Sequence, residues 1–140
     1  MKIMICGSMT FAKEMLKTKE ILEEMGHLVT VPTDAIDIVN GNHDNDNLES
    51  DYNHCVENDI MRTHFKFVEK SDAVLVLNHD KNNTKGYIGT ATLMEVGLAH
   101  YFHKKIFLLQ ELPHHSEHRW THEVRIMQPF ILNRDFSKIQ

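Results

Sequence analysis

Short runs of apolar residues recur along the chain and predict five strands. They lie at Lys2–Cys6 and at 27–31, 72–77, 104–109 and 130–132. The runs contain little alternation of apolar and polar residues, which is typical of strands that are buried on both faces of a sheet.

The segments between these runs place apolar residues at helical spacing. This spacing predicts helices within 11–25, 48–70, 92–102 and 117–127. Residues 33–47 are instead polar and rich in Asn and Asp, so they predict a mobile loop. Its length favours a lid over a ligand crevice.

Strands that alternate with helices predict a parallel sheet with helices on both faces. Right-handed crossovers then give a doubly wound α/β domain, Rossmann-like or flavodoxin-like, with strand order 2-1-3-4-5. We expect residues 1–140 to form one such domain, because this length is usual for a single core. The ligand crevice of such a sheet lies beyond the carboxyl ends of the strands, between the first and the third.

Composition narrows the classes of partner. The formal net charge of −5 argues against a nucleic-acid duplex or an anionic membrane surface, although a local pocket can still bind a small anion. No apolar run approaches the ~18 residues of a membrane span. Only two cysteines, Cys6 and Cys55, are present, so we expect free thiols without a catalytic role and a cytoplasmic location.

Two loops border the expected crevice. In the first, Gly7, Ser8 and Thr10 lead into a helix, where they either bind an anion or merely cap the helix. The second loop begins at Asn78 and carries glycines, threonines and a tyrosine that we expect to shape a binding pocket. These are Gly86, Tyr87, Gly89, Thr90 and Thr92.

Glu95 follows this second loop, in what the pattern predicts to be the first turn of the next helix. Thr92 and Glu95 have the spacing of a capping box, in which the glutamate only satisfies backbone N–H groups. Alternatively, Glu95 is a nucleophile or base at the mouth of the crevice. Both interpretations stay open from the spacing alone.

Several short motifs resemble one family. They are Cys6-Gly7-Ser8, Ser71-Asp72, Glu95-Val96-Gly97-Leu98-Ala99 and Lys104-Lys105. Together they are similar to the nucleoside 2-deoxyribosyltransferase superfamily, which includes 2'-deoxynucleoside 5'-monophosphate N-hydrolases. The resemblance implies a homodimer without a cofactor that cleaves or exchanges the N-glycosidic bond of a nucleoside or its 5'-monophosphate. It also implies that Glu95 attacks the sugar and forms a covalent glycosyl-enzyme.

The resemblance also implies a second carboxylate, on the helix before the central strand. Asp59 is the candidate. The thirteen residues from Asp59 to the start of the strand rise about 20 Å in a helix, and the six residues of the strand span about the same length in the opposite direction. Asp59 is therefore expected level with the strand's carboxyl end. Asp80 is a second candidate. His64 lies in an apolar stripe and is predicted to be a core histidine. A competing hypothesis keeps the fold as a non-catalytic nucleotide-binding or sensing module.

The chain contains 11 histidines, and four of them lie close together in sequence, at 114, 115, 118 and 122. His118 and His122 would share a face of the last helix, as metal ligands can. Their order does not match a zinc motif, and the 42–47 loop lacks the glycine and terminal glutamate of a calcium loop. We therefore predict no metal site.

Overall fold

Five parallel strands form one sheet in the computed structural model, which describes all 140 residues. The strands are β1 (Lys2–Cys6), β2 (Leu28–Thr30), β3 (Ala73–Val76), β4 (Lys105–Leu108) and β5 (Phe130–Ile131). Their order is β2-β1-β3-β4-β5, and every neighbouring pair is parallel. The predicted doubly wound fold with order 2-1-3-4-5 is confirmed.

Six helices connect and cover these strands. They are α1 (Ala12–Glu24), α2 (Ala35–Val39), α3 (Leu48–Glu57), α4 (Ile60–Lys70), α5 (Thr90–Tyr101) and α6 (Trp120–Ile126), with 3₁₀ turns at Met9–Phe11 and Phe136–Lys138. None of the helices has the length and apolar character needed to cross a membrane.

The sheet is buried on both faces, as the unbroken apolar runs predict. Ile3 and Ile5 of β1 pack on one side, with side chains of α1 and the end of the chain. Met4 and Cys6, which alternate with them, pack on the other side against α4, α5 and α6. Each fully buried aliphatic side chain of this kind contributes about 1.5–3 kcal/mol. The two-sided core fixes the carboxyl ends of β1 and β3, where the crevice opens.

The polar segment 33–47 is not a loop throughout, and this prediction is wrong for residues 35–39. Those residues form α2, which packs against α1. The reason is a short apolar pattern, in which Ala35 is completely buried and Ile38 faces the crevice. We call residues 33–47 the lid, because they lie over the pocket described below.

The expected single helix over 48–70 is also wrong, since it is divided into α3 and α4. Asp59 lies between them in the left-handed region, with φ of 47°. Asn and Asp enter this region more readily than other side chains, and Asn58-Asp59 therefore ends one helix and begins another. α4 packs on the sheet, whereas α3 buries none of its residues completely.

Candidate active site

A pocket opens at the carboxyl end of β1, where the strand order reverses. It encloses about 190 Å³ between the end of β1, the lid, and helices α3, α4 and α5. Its walls are formed by Gly7, Met9, Pro32, Asp34, Ile38, Asn45, Asp51, Cys55, Ile60, Met61, His64, Ala91, Thr92 and Glu95. The position agrees with the general rule for ligand crevices in doubly wound sheets.

Glu95 lies in the second turn of α5, not in the first turn as expected, and its side chain lines the pocket. The residue is only 6% exposed. Gly89 is the residue that caps α5, and no side chain caps this helix terminus. The capping-box interpretation is therefore wrong, because the helix begins at Thr90 and Glu95 lies one turn too far along it to reach the first N–H groups. Its carboxylate is available to a ligand.

His64 forms a close pair with Glu95 in the pocket. Nδ1 of His64 lies 3.6 Å from Oε1 of Glu95, and both side chains are largely buried. The backbone N–H of Thr33, in the lid, donates a hydrogen bond to Nε2 of His64 at 3.3 Å. A nitrogen that accepts an N–H carries a lone pair, so the neutral ring holds its proton on Nδ1, facing the carboxylate. The prediction of a core histidine is therefore wrong: His64 is only partly buried and belongs to the pocket wall, where it faces Glu95.

The Cys6 thiol also interacts with Glu95. Complete burial raises the pKa of the Cys6 thiol well above its ordinary value, and the nearby Glu95 carboxylate raises it further. The sulfur is therefore a neutral thiol that packs in the core. It is the thiolate that acts as a nucleophile in cysteine chemistry, so Glu95 has no competing nucleophile in this part of the pocket.

A polar group of side chains around Ser8, which we call the polar extension, lies outside the residues that line the pocket. Nζ of Lys81 donates a hydrogen bond to Oγ of Ser8 at 2.8 Å and lies 5.3 Å from the centre of the Tyr87 ring. The phenol ring of Tyr87 lies directly over Gly89. The structure thus brings together Ser8, Tyr87 and Gly89, which were predicted from the sequence, with the cation of Lys81.

Asn78 and Gly86 lie behind this wall and hold two loops together. The Asn78 amide is completely buried, donates to the carbonyl of Gln110 at 2.9 Å and accepts from the Gln110 N–H at 3.1 Å. Gly86 has φ of 68°, and a Cβ there would lie 2.2 Å from the carbonyl oxygen of Glu111. These two residues position the loop that follows β3, and neither lines the pocket.

The two carboxylates predicted as partners of Glu95 lie outside the pocket walls. The Asp59 side chain is 63% exposed and pairs with Arg62 at 3.0 Å. Asp80 accepts hydrogen bonds from the Gly86 N–H and the Gln110 side chain, and these bonds lower the pKa of its carboxyl. Thr92 does line the pocket, and Thr90 is the first residue of α5.

Asp34 and Asp51 are the carboxylates that do share the pocket with Glu95, and the sequence analysis missed them. Each is paired with a histidine: Oδ1 of Asp34 lies 2.9 Å from Nε2 of His54, and Oδ1 of Asp51 lies 2.9 Å from Nε2 of His43. The two imidazole rings lie against each other, with centres 4.4 Å apart. We call Asp34, His43, Asp51 and His54 the lid cluster.

The histidines at 114–122 do not converge. Helix α6 begins at Trp120, so His118 and His122 do not share one helical face as expected. His118 lies 3.3 Å from the hydroxyl of Thr84, and His114 stacks on His115. Three residues of the lid cluster, in contrast, have ligand atoms close enough together to share a metal ion. They are Asp34, His43 and His54.

No family model and no curated protein matches this sequence. Among solved structures, the chain is similar to the CMP N-glycosidase BcmB of Clostridium botulinum. The sequences are 15% identical, the match covers 94% of this chain and 85% of that chain, and the TM-score is 0.47. The chemistry of this chain therefore has to be derived from the side chains of its own pocket.

Proposed function

We propose that the chain cleaves or exchanges the N-glycosidic bond of a nucleoside or its 5'-monophosphate, with Glu95 as nucleophile. The observation that carries this proposal is the placement of the Glu95 carboxylate. It lies at the carboxyl end of the sheet, nearly buried, free of any capping role and faced by a histidine. A carboxylate held in this way is suited to attack on an anomeric carbon, and the motifs around it resemble the deoxyribosyltransferase superfamily.

The reaction proceeds in two steps. A Glu95 oxygen attacks C1′ of the sugar as the C1′–N bond breaks, and the base leaves with the bonding electrons and takes up a proton. Water or a second base then attacks C1′ and gives up a proton to the acid that protonated the first base, and the bond to Glu95 breaks, which restores the carboxylate. The two displacements are those of a retaining glycosidase. His64, with its Nδ1 proton toward Glu95, is a positioning residue for the carboxylate.

The proton for the departing base has four candidate donors. Asp59 and Asp80 follow from the sequence, whereas Asp34 and Asp51 line the pocket. We favour a lid acid, because a general acid must come within hydrogen-bond reach of the group it protonates. Asp51→Asn and Asp59→Asn test one candidate from the pocket and one from the sequence. Loss of base release in Asp51→Asn alone supports the lid acid, and loss in Asp59→Asn alone contradicts it.

The polar extension around Ser8 fits a 5'-phosphate. Lys81 supplies a positive charge, and the Ser8 and Thr90 hydroxyls supply hydrogen bonds near the start of a helix. Lys85 lies on the same loop and can add charge. Lys81→Gln should raise KM for a monophosphate and leave KM for the matching nucleoside unchanged. Equal effects on both substrates would argue against a phosphate subsite here.

The exposed apolar side chains of α3 and α5 favour a homodimer. Tyr52 and Val56 of α3 are one turn apart, and Met94 and Tyr101 of α5 share a face, yet all four are exposed. We propose that a second copy covers this surface and closes the pocket. Analytical sedimentation tests this dimer: the wild type should sediment as a dimer and the Tyr101→Glu variant as a monomer.

The two free thiols fit a reducing compartment, and we propose a cytoplasmic location.

The activity is tested by incubating the chain with a panel of nucleosides and 5'-monophosphates and measuring the free base by chromatography. A second base added to the mixture separates exchange from hydrolysis. Release that falls at least ~10³-fold in Glu95→Gln supports the proposal. Binding of a nucleotide without release of base from any substrate would favour the non-catalytic binding or sensing module instead.

A further inference from the structure

The lid cluster brings potential metal ligands together from three separate segments. Asp34 immediately precedes α2, His43 lies between α2 and α3, and His54 is on α3. One ligand atom from each of the three lies within 4.8 Å of the other two. The side chains are 13%, 13% and 31% exposed, so the group is partly shielded from water. This is a converging set and not a run of surface residues.

The distances are close to those of a tetrahedral zinc site. Zinc bonds of about 2.0–2.1 Å place neighbouring ligands roughly 3.3 Å apart. The Asp34 and His54 ligand atoms are now 2.9 Å apart, and the widest separation in the set is no more than 4.8 Å. Small rotations of the side chains therefore suffice to admit an ion.

The charge of the cluster also favours a cation. Asp34 and Asp51 are its two carboxylates, and each has a histidine as its only ion-pair partner, without a lysine or arginine. One divalent ion compensates the negative charge of these carboxylates. Burial makes such compensation more favourable than it would be in open solvent.

We propose that the lid cluster binds one divalent transition-metal ion of the zinc class, through Asp34, His43 and His54. Two imidazoles and one carboxylate suit zinc, whereas magnesium and calcium prefer sets of oxygen ligands. The fourth position is open to Asp51 or to water. The ion joins the lid to α3 and so fixes the wall of the pocket. This site replaces the sequence-based expectation of no metal.

The proposal is tested on chain purified without a histidine tag, stripped with EDTA and dialysed. Calorimetric titration with zinc chloride should show one ion per chain that saturates before any weaker sites, and magnesium chloride should give no such binding. His43→Gln/His54→Gln should weaken this first site at least tenfold. The matched control His114→Gln/His115→Gln, which alters a second stacked histidine pair, should leave it unchanged.

A second measurement needs no variant. Zinc added in equimolar amount to the ¹⁵N-labelled wild type should shift the ring nitrogens of His43 and His54 before those of the other histidines. Weak binding spread over many histidines, shifts confined to 114–122, or an unchanged affinity in His43→Gln/His54→Gln would each overturn the proposal. Both measurements record binding, so their outcome is independent of whether Glu95 has the activity proposed above.

Discussion

Gly86→Ala tests whether the loop after β3 is fixed in place by its close approach to the loop after β4. The new Cβ would lie 2.2 Å from the Glu111 carbonyl oxygen, and the backbone there has φ of 68°. The left-handed conformation alone costs about 1–2 kcal/mol for a residue other than glycine. The contact with Glu111 forces the loops apart and weakens the hydrogen bonds of the buried Asn78 amide, at a cost of about 1–3 kcal/mol.

The combined loss is about 2–5 kcal/mol, and it converts into a shift of the unfolding temperature. At ~2.1 cal/mol/K per residue, a chain of this length has an unfolding entropy of about 0.29 kcal/mol/K. Gly86→Ala should therefore lower Tm by about 7–17 °C in a calorimetric scan.

Gly41→Ala is the matched control for this measurement. Gly41 has a similar φ of 74°, but a Cβ there meets no atom within 4 Å. Only the backbone cost applies, so Tm should fall by about 3–7 °C. Equal losses in the two variants would show that the contact with Glu111 contributes nothing, and would refute the role assigned to Asn78 and Gly86.

Three further predictions concern single side chains. His64→Phe should lower base release by about 10²-fold with Tm little changed, because Glu95 loses its positioning partner; a loss of Tm alone would contradict this. Burial, followed by the charge of Arg134, lowers the pKa of His79. The unfolded chain therefore binds a proton at this imidazole more tightly than the folded chain does, and the free energy of unfolding falls as the pH drops below about 6.5. His79→Asn should therefore flatten the fall in Tm between about pH 7 and 5, and parallel curves would contradict that. Burial raises the pKa of the Cys55 thiol to about 11. At pH 8 with EDTA, Cys55 should therefore react with a disulfide reagent on the order of 100-fold more slowly than in the unfolded chain. Similar rates in the folded and unfolded chains would contradict this prediction.

The sheet could be predicted from the sequence because the signal for buried strands is local. Apolar runs such as Ala73–Val76 are short, continuous and bounded by polar residues, and their parallel order follows from the helices between them. The same reasoning placed the crevice and selected Glu95. These parts of the account depend on residues that are neighbours in sequence.

The partner carboxylate could not be placed in the same way. The argument for Asp59 set its height from the number of helical residues before the central strand, but height does not set the direction of the side chain: Asp59 lies in a left-handed turn and its side chain is 63% exposed and paired with Arg62. The Asn58-Asp59 pair is a signal that could have indicated the break. Once α3 turns away from the line of α4, Asp51 lines the pocket and Asp59 faces solvent.

The lid cluster could not be predicted because its contacts are between distant segments. His54 pairs with Asp34 from 20 positions away, and this pairing depends on how the lid folds back on α3. Sequence patterns favoured the dense histidine run at 114–122 instead. In that run His114 packs on His115 whereas His118 contacts Thr84, so density along the chain does not bring all four histidines together in space.

The central claim is that Glu95 forms a covalent bond to the sugar. The most direct test is rapid acid quenching of the wild type during turnover, followed by mass spectrometry of the intact chain and of its peptides. We predict a mass increase of one sugar residue, located on the peptide that carries Glu95 and absent in Glu95→Gln. Base release without any such adduct, or an adduct that persists in Glu95→Gln, would contradict the assignment.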